Sequence, residues 1–211
     1  MPRPNLIRSD RHPYHITARC NNKDFFPLPL NQMWGIFMSH LYFIHQEFGV
    51  GIHSFVLMGN HFHLLCHTPQ GNIDQAMMSF MKRTSDEINR RTNSINHLWG
   101  TRYKWSVIES PPYYYQVYKY IYQNPIRAKI VDRAENYSFS TLVRKPPFPL
   151  HSFLPFAFGG TKGELAWIND IFQEEQSSAI KAGLKKGQFE VSRKGFERLL
   201  SIRPRIAHYA H

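Results

Sequence analysis

Cysteine is nearly absent: Cys20 and Cys66 are the only two in 211 residues, too few for a disulfide scaffold or a thiolate metal site. Acidic residues are also scarce. Fifteen Asp and Glu face 26 Lys and Arg, leaving a formal charge of +11. No window reaches the ~18 consecutive apolar residues of a membrane helix. The segment Met1-Pro-Arg-Pro-Asn-Leu-Ile-Arg8 is polar and lacks the apolar centre of a secretory leader, so the expected setting is the cytoplasm, beside the nucleoid. No internal repeat and no low-complexity run is visible. What is present argues for a packed core. Hydrophobic residues make up 42% and aromatics 15%, too apolar for a disordered basic tail. The positive excess then calls for a polyanionic partner. Nucleic acid is favoured over an acidic membrane surface, because no basic amphipathic helix stands out.

Composition shifts near residue 145, where Lys145-Pro-Pro-Phe-Pro149 begins a Pro- and Gly-rich stretch. This divides the chain into a main domain (1–145), a linker (146–160) and a basic helical extension (161–211). In the main domain, residues 14–20 read as a strand. Asn31 is placed to cap a helix running to about Phe48, stopped by Gly49. Residues 51–58 and 61–67 form two strands around the Gly59-Asn60 turn. Asn72 opens a second helix to about Arg91, and residues 103–108 form a further strand. Pro112 starts a third helix, expected to end before Pro125. The order β-α-β-β-α-β-α implies an α+β fold, ferredoxin-like, with helices packed on one face of an antiparallel sheet. In the extension, Ala166, Trp167, Ile168 and Phe172 form one apolar cluster, and Phe196, Leu199 and Leu200 another. Its bases (Lys181, Lys185, Lys186, Arg193, Lys194, Arg198, Arg203 and Arg205) suit either a solvated cap or an added DNA contact.

Three features carry chemistry. In His61-Phe62-His63 the two imidazoles project from the same side of a strand, since side chains alternate. Such a pair can bind one divalent cation, or can be two ordinary surface histidines. Next, six tyrosines fall between Tyr113 and Tyr122 on the third helix. Val117 and Ile121 share one face, while Tyr120 and Asn124, four apart, share another. Tyr120 could be chemical or could simply fill a helix–sheet interface. Last, Lys82, Arg83, Arg90 and Arg91 are followed by Trp99, Arg102, Tyr103, Lys104 and Trp105. Bases neutralise phosphates and rings stack unpaired bases; the alternative is a solvated helix face beside a buried Trp pair.

Taken in order, Met58-Gly-Asn-His-Phe-His-Leu-Leu65, Gly100-Thr-Arg-Tyr-Lys104 and Tyr120-Ile-Tyr-Gln-Asn-Pro-Ile-Arg-Ala128 closely resemble the REP-associated tyrosine transposases. These are HUH (His-hydrophobe-His) nucleases, relatives of the single-tyrosine insertion-sequence transposases. Tyr14-His-Ile-Thr17 and Asn136-Tyr-Ser-Phe-Ser140 also resemble that family's flanking segments. The resemblance covers about residues 1–145. Gly59 stands where the family usually has Pro, and serves the turn as well.

The resemblance implies an HUH nuclease fold and a metal-dependent enzyme that cleaves and rejoins single-stranded, hairpin-forming DNA. Tyr120 would be the nucleophile, forming a 5′-phosphotyrosine link and freeing a 3′-hydroxyl. His61 and His63 would be metal ligands. The third ligand, one turn after the tyrosine, would be Asn124, with Gln123 as the fallback. Two imidazoles and an amide oxygen suit Mg²⁺ or Mn²⁺. Lys82, Arg83, Arg102 and Lys104 are the expected DNA-binding residues, and Tyr118 and Tyr122 are packing. Transposing relatives work as dimers, so the expected assembly includes a homodimer. Competing readings are a replication-initiator nickase, a non-catalytic or domesticated nucleic-acid-binding module, and a zinc hydrolase. The last lacks further nearby ligands, because Leu64, Leu65 and Cys66 follow the pair.

Overall fold

The structure, a computed structural model, describes residues 5–95, 97–152 and 162–191. The elements follow the expected order: β1 Tyr14–Arg19, α1 Leu30–Phe48, β2 Gly51–Leu57, β3 His61–His67, α2 Ile73–Thr92, β4 Lys104–Val107 and α3 Pro111–Arg127. Helices α4 Lys162–Asn169 and α5 Glu174–Gly183 come after them. The sheet order is β2-β3-β1-β4, with every neighbouring pair antiparallel. That is the ferredoxin-like arrangement, with one difference from expectation: the helices do not share one face, since α1 and α2 cover one side of the sheet and α3 to α5 the other.

Alternation along the strands separates two cores. Tyr14, Ile16, Phe55, Phe62 and Leu64 face α1 and α2, meeting Phe37, Leu41, Met77 and Phe80. Val56 and Leu65 face the opposite way, toward Val117, Ile121, Ile168 and Ile180 of α3, α4 and α5. Helix α3 lies mainly over β2 and β3. The β1 and β4 side of that face is therefore left open beside it.

Two helix ends differ from expectation. Helix α1 begins at Leu30 with Pro29 at its cap, and Asn31 bonds the amide of Gln32 within the first turn. A fixed proline φ sets the entry without a side-chain cap. Helix α3 does not stop before Pro125 but runs on to Arg127. Proline has no N–H for the carbonyl of Ile121, four residues back. The side-chain amide of Asn124 donates there instead, at 3.2 Å, and to the Tyr120 carbonyl at 2.9 Å. That substitution lets the helix continue for part of a turn. At the other helix ends the sequence signals hold. Gly49 closes α1 with φ 63°, a left-handed conformation that glycine adopts without strain. Ser110 caps α3 ahead of two prolines.

The extension packs on α3. The Tyr118 hydroxyl donates to Glu164, and the buried Lys119 ammonium meets Asp170 at 3.2 Å. Residues 187–189 then run beside β4, with the Val107 amide donating to Gly187 and the Phe189 amide to Val107. Within the linker, Phe148 is buried in the first core. Residues 153–160 fall outside the described residues, as do Phe196, Leu199, Leu200, Arg193, Lys194, Arg198, Arg203 and Arg205.

Candidate active site

The open side of the sheet forms the floor of a cleft of about 740 Å³. Strand register determines what lies there. Thr17 is opposite both His63 and Lys104, and Arg19 is opposite His61. Directly paired residues project to the same face, so β1, β3 and β4 present their polar side chains together. Their alternate neighbours Ile16, Ala18, Phe62 and Leu64 are in the core beneath.

His61 and His63 lie side by side, ring centroids 5.1 Å apart at 79°. Each is oriented by its Nδ1. His61 Nδ1 donates to Asn60 Oδ1 at 2.7 Å, and Asn60 is itself fixed by donating Nδ2 to the Lys23 carbonyl at 2.7 Å. His63 Nδ1 meets Nε2 of His15 at 2.9 Å, and the two rings stack. For His61 the amide oxygen can only accept, so Nδ1 is protonated and Nε2 carries a free lone pair, the arrangement that prepares an imidazole to bind a metal; His63 reaches the same state when its Nδ1 is the donor to His15. Burial keeps both rings neutral. It pushes His61 down to about 4, with Arg19 adding to the effect. His63 falls well below the usual range through burial and then the neighbouring His15, His61 and Arg19.

Tyr120 enters the same cleft from α3. Its ring stands perpendicular to that of His63, with centroids 6.1 Å apart. The side chain is 6% exposed. Burial raises its pKa, opposed by the Arg127 guanidinium, which lies 5.9 Å from the ring centroid. Asn124 lines the cleft one turn further on. Because its Nδ2 is spent on the helix carbonyls ahead of Pro125, its Oδ1 is the end left to accept or ligate. Among the described residues no group of three His, Cys, Asp or Glu is placed to hold a metal. The Asn124 carboxamide is a donor of another kind that lines the same cleft as the histidine pair. Gln123, the fallback, faces elsewhere. Its Nε2 donates to the carbonyls of Ile168 and Asp170, and its Oε1 accepts from the Phe172 amide. It is fully buried as a brace between α3 and the end of α4.

The cleft is strongly positive. Arg19, Lys23, Arg102, Lys104, Arg127, Lys181 and Lys185 line it, and among the described residues no carboxylate does. Arg102 and Lys104 were expected from the sequence. Arg19, Lys23 and Arg127 were not singled out, and Lys181 and Lys185 only as part of a basic extension suited to a solvated cap or a DNA contact, because nothing local marks bases from distant elements as neighbours. Lys82 and Arg83 are not brought to the cleft. They belong to α2, on the opposite face of the sheet, where Lys82 pairs with Asp86 and the Arg83 guanidinium sits 3.7 Å over the Phe43 ring. The aromatic residues between the bases are structural. Trp99 packs edge-on against Phe26, Phe37 and Phe62 and donates Nε1 to the Met81 carbonyl, and Tyr103 is buried.

No curated protein matches this chain. Its fold is similar to the solved structure of a REP-associated tyrosine transposase bound to a REP hairpin, with TM-score 0.58 and 18% identity over 77% of this chain and 94% of that one. A structure described as a transposase from Deinococcus radiodurans R1 aligns at TM-score 0.39 and 16% identity, over 57% of this chain and 94% of the other. The family model described as "Transposase IS200 like" matches residues 9–124, a span that contains β1, the His61–His63 pair, Tyr120 and Asn124. That match takes in more than half of the 211 residues, and the chain belongs to the IS200-like transposase family.

Proposed function

We propose that this protein cleaves and rejoins single-stranded DNA, with Tyr120 as the nucleophile and His61, His63 and Asn124 holding a divalent cation. The observation that carries this reading is the placement of the Tyr120 ring against His63, on the face of α3 that also bears Asn124. The donor set fits Mg²⁺ or Mn²⁺: two neutral imidazoles and one amide oxygen, while Cys20, which also lines the cleft, is held as the thiol by burial. When bound, that ion would neutralise charge on the non-bridging oxygens of the scissile phosphate.

The chain's own groups do the rest. The cleft cations draw in the phosphodiester backbone, and burial removes competing water. Tyr120 Oη attacks phosphorus, and its proton passes to solvent. The bond from phosphorus to the 3′ oxygen breaks, the 3′ oxygen takes up a proton, and the 5′-phosphate remains on the phenol. Rejoining reverses these steps without ATP, because the ester bond is conserved. A phenol with a pKa near 10 or above is a poor nucleophile at neutral pH, and burial alone makes Tyr120 worse. Arg127 acts in the opposite sense and favours the phenolate.

The similar solved structure holds a REP hairpin. We extend that substrate class, hairpin-forming DNA with single-stranded flanks, to this protein. One chain's Tyr120 already stands beside its own His63, which supports action within a single chain. The test is cleavage of an end-labelled hairpin oligonucleotide with Mg²⁺ or Mn²⁺. Cleavage should vanish with chelator and in His61→Ala or His63→Ala. Full cleavage in either variant would overturn the assignment. Mixing His63→Ala with Tyr120→Phe should leave the preparation inactive if each chain serves itself.

A further inference from the structure

The extension contributes two bases to the cleft that neither the family match nor the catalytic chemistry accounts for. The matched family span stops at residue 124. Helix α5 begins 50 residues later, at Glu174. Yet Lys181, on its last turn, and Lys185, just beyond it, line the same cleft as Tyr120 and His61. Their spacing of four residues puts them on one side of the helix end. Both are exposed. Neither takes part in any of the ion pairs among the described residues, although the adjacent Lys186 pairs with Glu190 at 3.6 Å.

The placement of these two is built, not incidental. Helix α5 is held on α3 through Ile180 and Leu184, which belong to the same buried cluster as Val117 and Tyr120. Beyond it, Gly187 is fixed to β4 by the Val107 amide, with so little room that an added Cβ would come within 2.9 Å of Trp105. The chain between Lys181 and the β4 edge is thus tied at both ends. Arg19, Arg102 and Lys104 reach the cleft from the sheet and its preceding loop, whereas Lys181 and Lys185 reach it from the extension. A trough with cations from both the sheet and the extension, and no carboxylate in its lining among the described residues, fits one linear polyanion.

We propose that the extension completes a two-sided phosphate clamp, in which Lys181 and Lys185 each contact a backbone phosphate of the single strand lying across Tyr120. This rests on the reading of the cleft as a DNA-cleaving site and assigns the α5 pair a positioning role in it. The two lysines take no part in bond making. They read charge rather than sequence, so their contribution is the same for any base.

The probe is a short fluorescent oligothymidylate bound to the full-length chain, measured by anisotropy across a salt series. Each phosphate contact on a single strand contributes a slope of ~0.7 in log K against log salt. The Lys181→Ala/Lys185→Ala double variant should therefore lose ~1.4 from the slope and bind about tenfold or more weakly near 0.1 M salt. Lys181→Arg/Lys185→Arg should restore the slope, and Lys186→Ala should keep it unchanged. An unaltered slope in the Ala double variant, with the wild type binding and forming its DNA adduct normally, would overturn the clamp and leave the cleavage reading standing. A wild-type protein that neither binds the oligothymidylate nor forms an adduct would overturn both. Equal slope losses in the Lys186→Ala control would also sink the clamp, by showing that general surface charge suffices.

Discussion

Helix α3 shows its tyrosines two different environments. Tyr114 shares a hydrogen bond with His53 at 2.8 Å, Tyr118 donates to Glu164 at 2.9 Å, and Tyr122 meets Thr141 at 2.9 Å. These hydroxyls are structural members of the second core. Burial raises Tyr118 and Tyr122 far above the ordinary phenol range, Tyr122 against the pull of its Thr141 and Tyr118 bonds. Tyr120, equally at home in that core by its ring, directs its edge to the cleft, where bases and imidazoles surround it. The difference is one of assignment. A buried hydroxyl already bonded is expensive to redirect, whereas Tyr120 is flanked by groups that suit a phosphate.

The comparison can be broken by phenylalanine substitution along the helix, which removes one oxygen at a time. Tyr120→Phe should abolish covalent DNA attachment, read as a shifted band on a denaturing gel, and leave stability and DNA binding close to wild type. Tyr122→Phe should do the reverse: attachment persists, while the loss of the Thr141 partner costs about 1–2 kcal/mol in denaturant unfolding. Attachment lost equally in both would mean that the two environments are not functionally distinct.

A smaller effect is expected one shell out from the cleft. Asn60→Ala removes the acceptor that sets the His61 ring, and should weaken divalent-ion affinity about 10–100-fold by calorimetric titration. A pH effect on stability is expected away from the cleft. His53 is bonded to Tyr114 and to His67 Nδ1, and burial pushes it down to about 3, aided by His67 and His151. Below about 6.5 the unfolded chain takes up a proton that the folded chain refuses, so stability falls as pH drops through that window toward about 3. This single group contributes up to ~1.4 kcal/mol per pH unit. The acid-side slope of unfolding free energy should be shallower in His53→Gln by that amount.

The fold was legible because its signals were local. Alternation in Tyr14–Arg19 and His61–His67, the stop at Gly49 and the start at Pro111-Pro112 each depend on a few neighbouring residues. The facing of His61 with His63, and of Tyr120 with Asn124, followed from the two periodicities alone. What could not be read was convergence. Arg19, Arg127, Lys181 and Lys185 meet only because β1, the end of α3 and α5 are folded against one another. The same blindness made Lys82 and Arg83 look equivalent to Arg102 and Lys104, although only the second pair lines the cleft. Pro125 misled for a different reason. The rule that proline ends a helix assumes that nothing else bonds the abandoned carbonyl, and here the residue just before it does. That local repair also determines which end of the Asn124 carboxamide is left over, so the exception to the helix rule bears on the site.

The most direct test of the account is to trap the protein on a labelled hairpin oligonucleotide with Mn²⁺, digest the complex and locate the attached nucleotide by mass spectrometry. The account predicts one modified peptide, carrying a 5′-phosphonucleotide on Tyr120. Attachment to Tyr113, Tyr115 or any other residue, or cleavage with no covalent product, would contradict it.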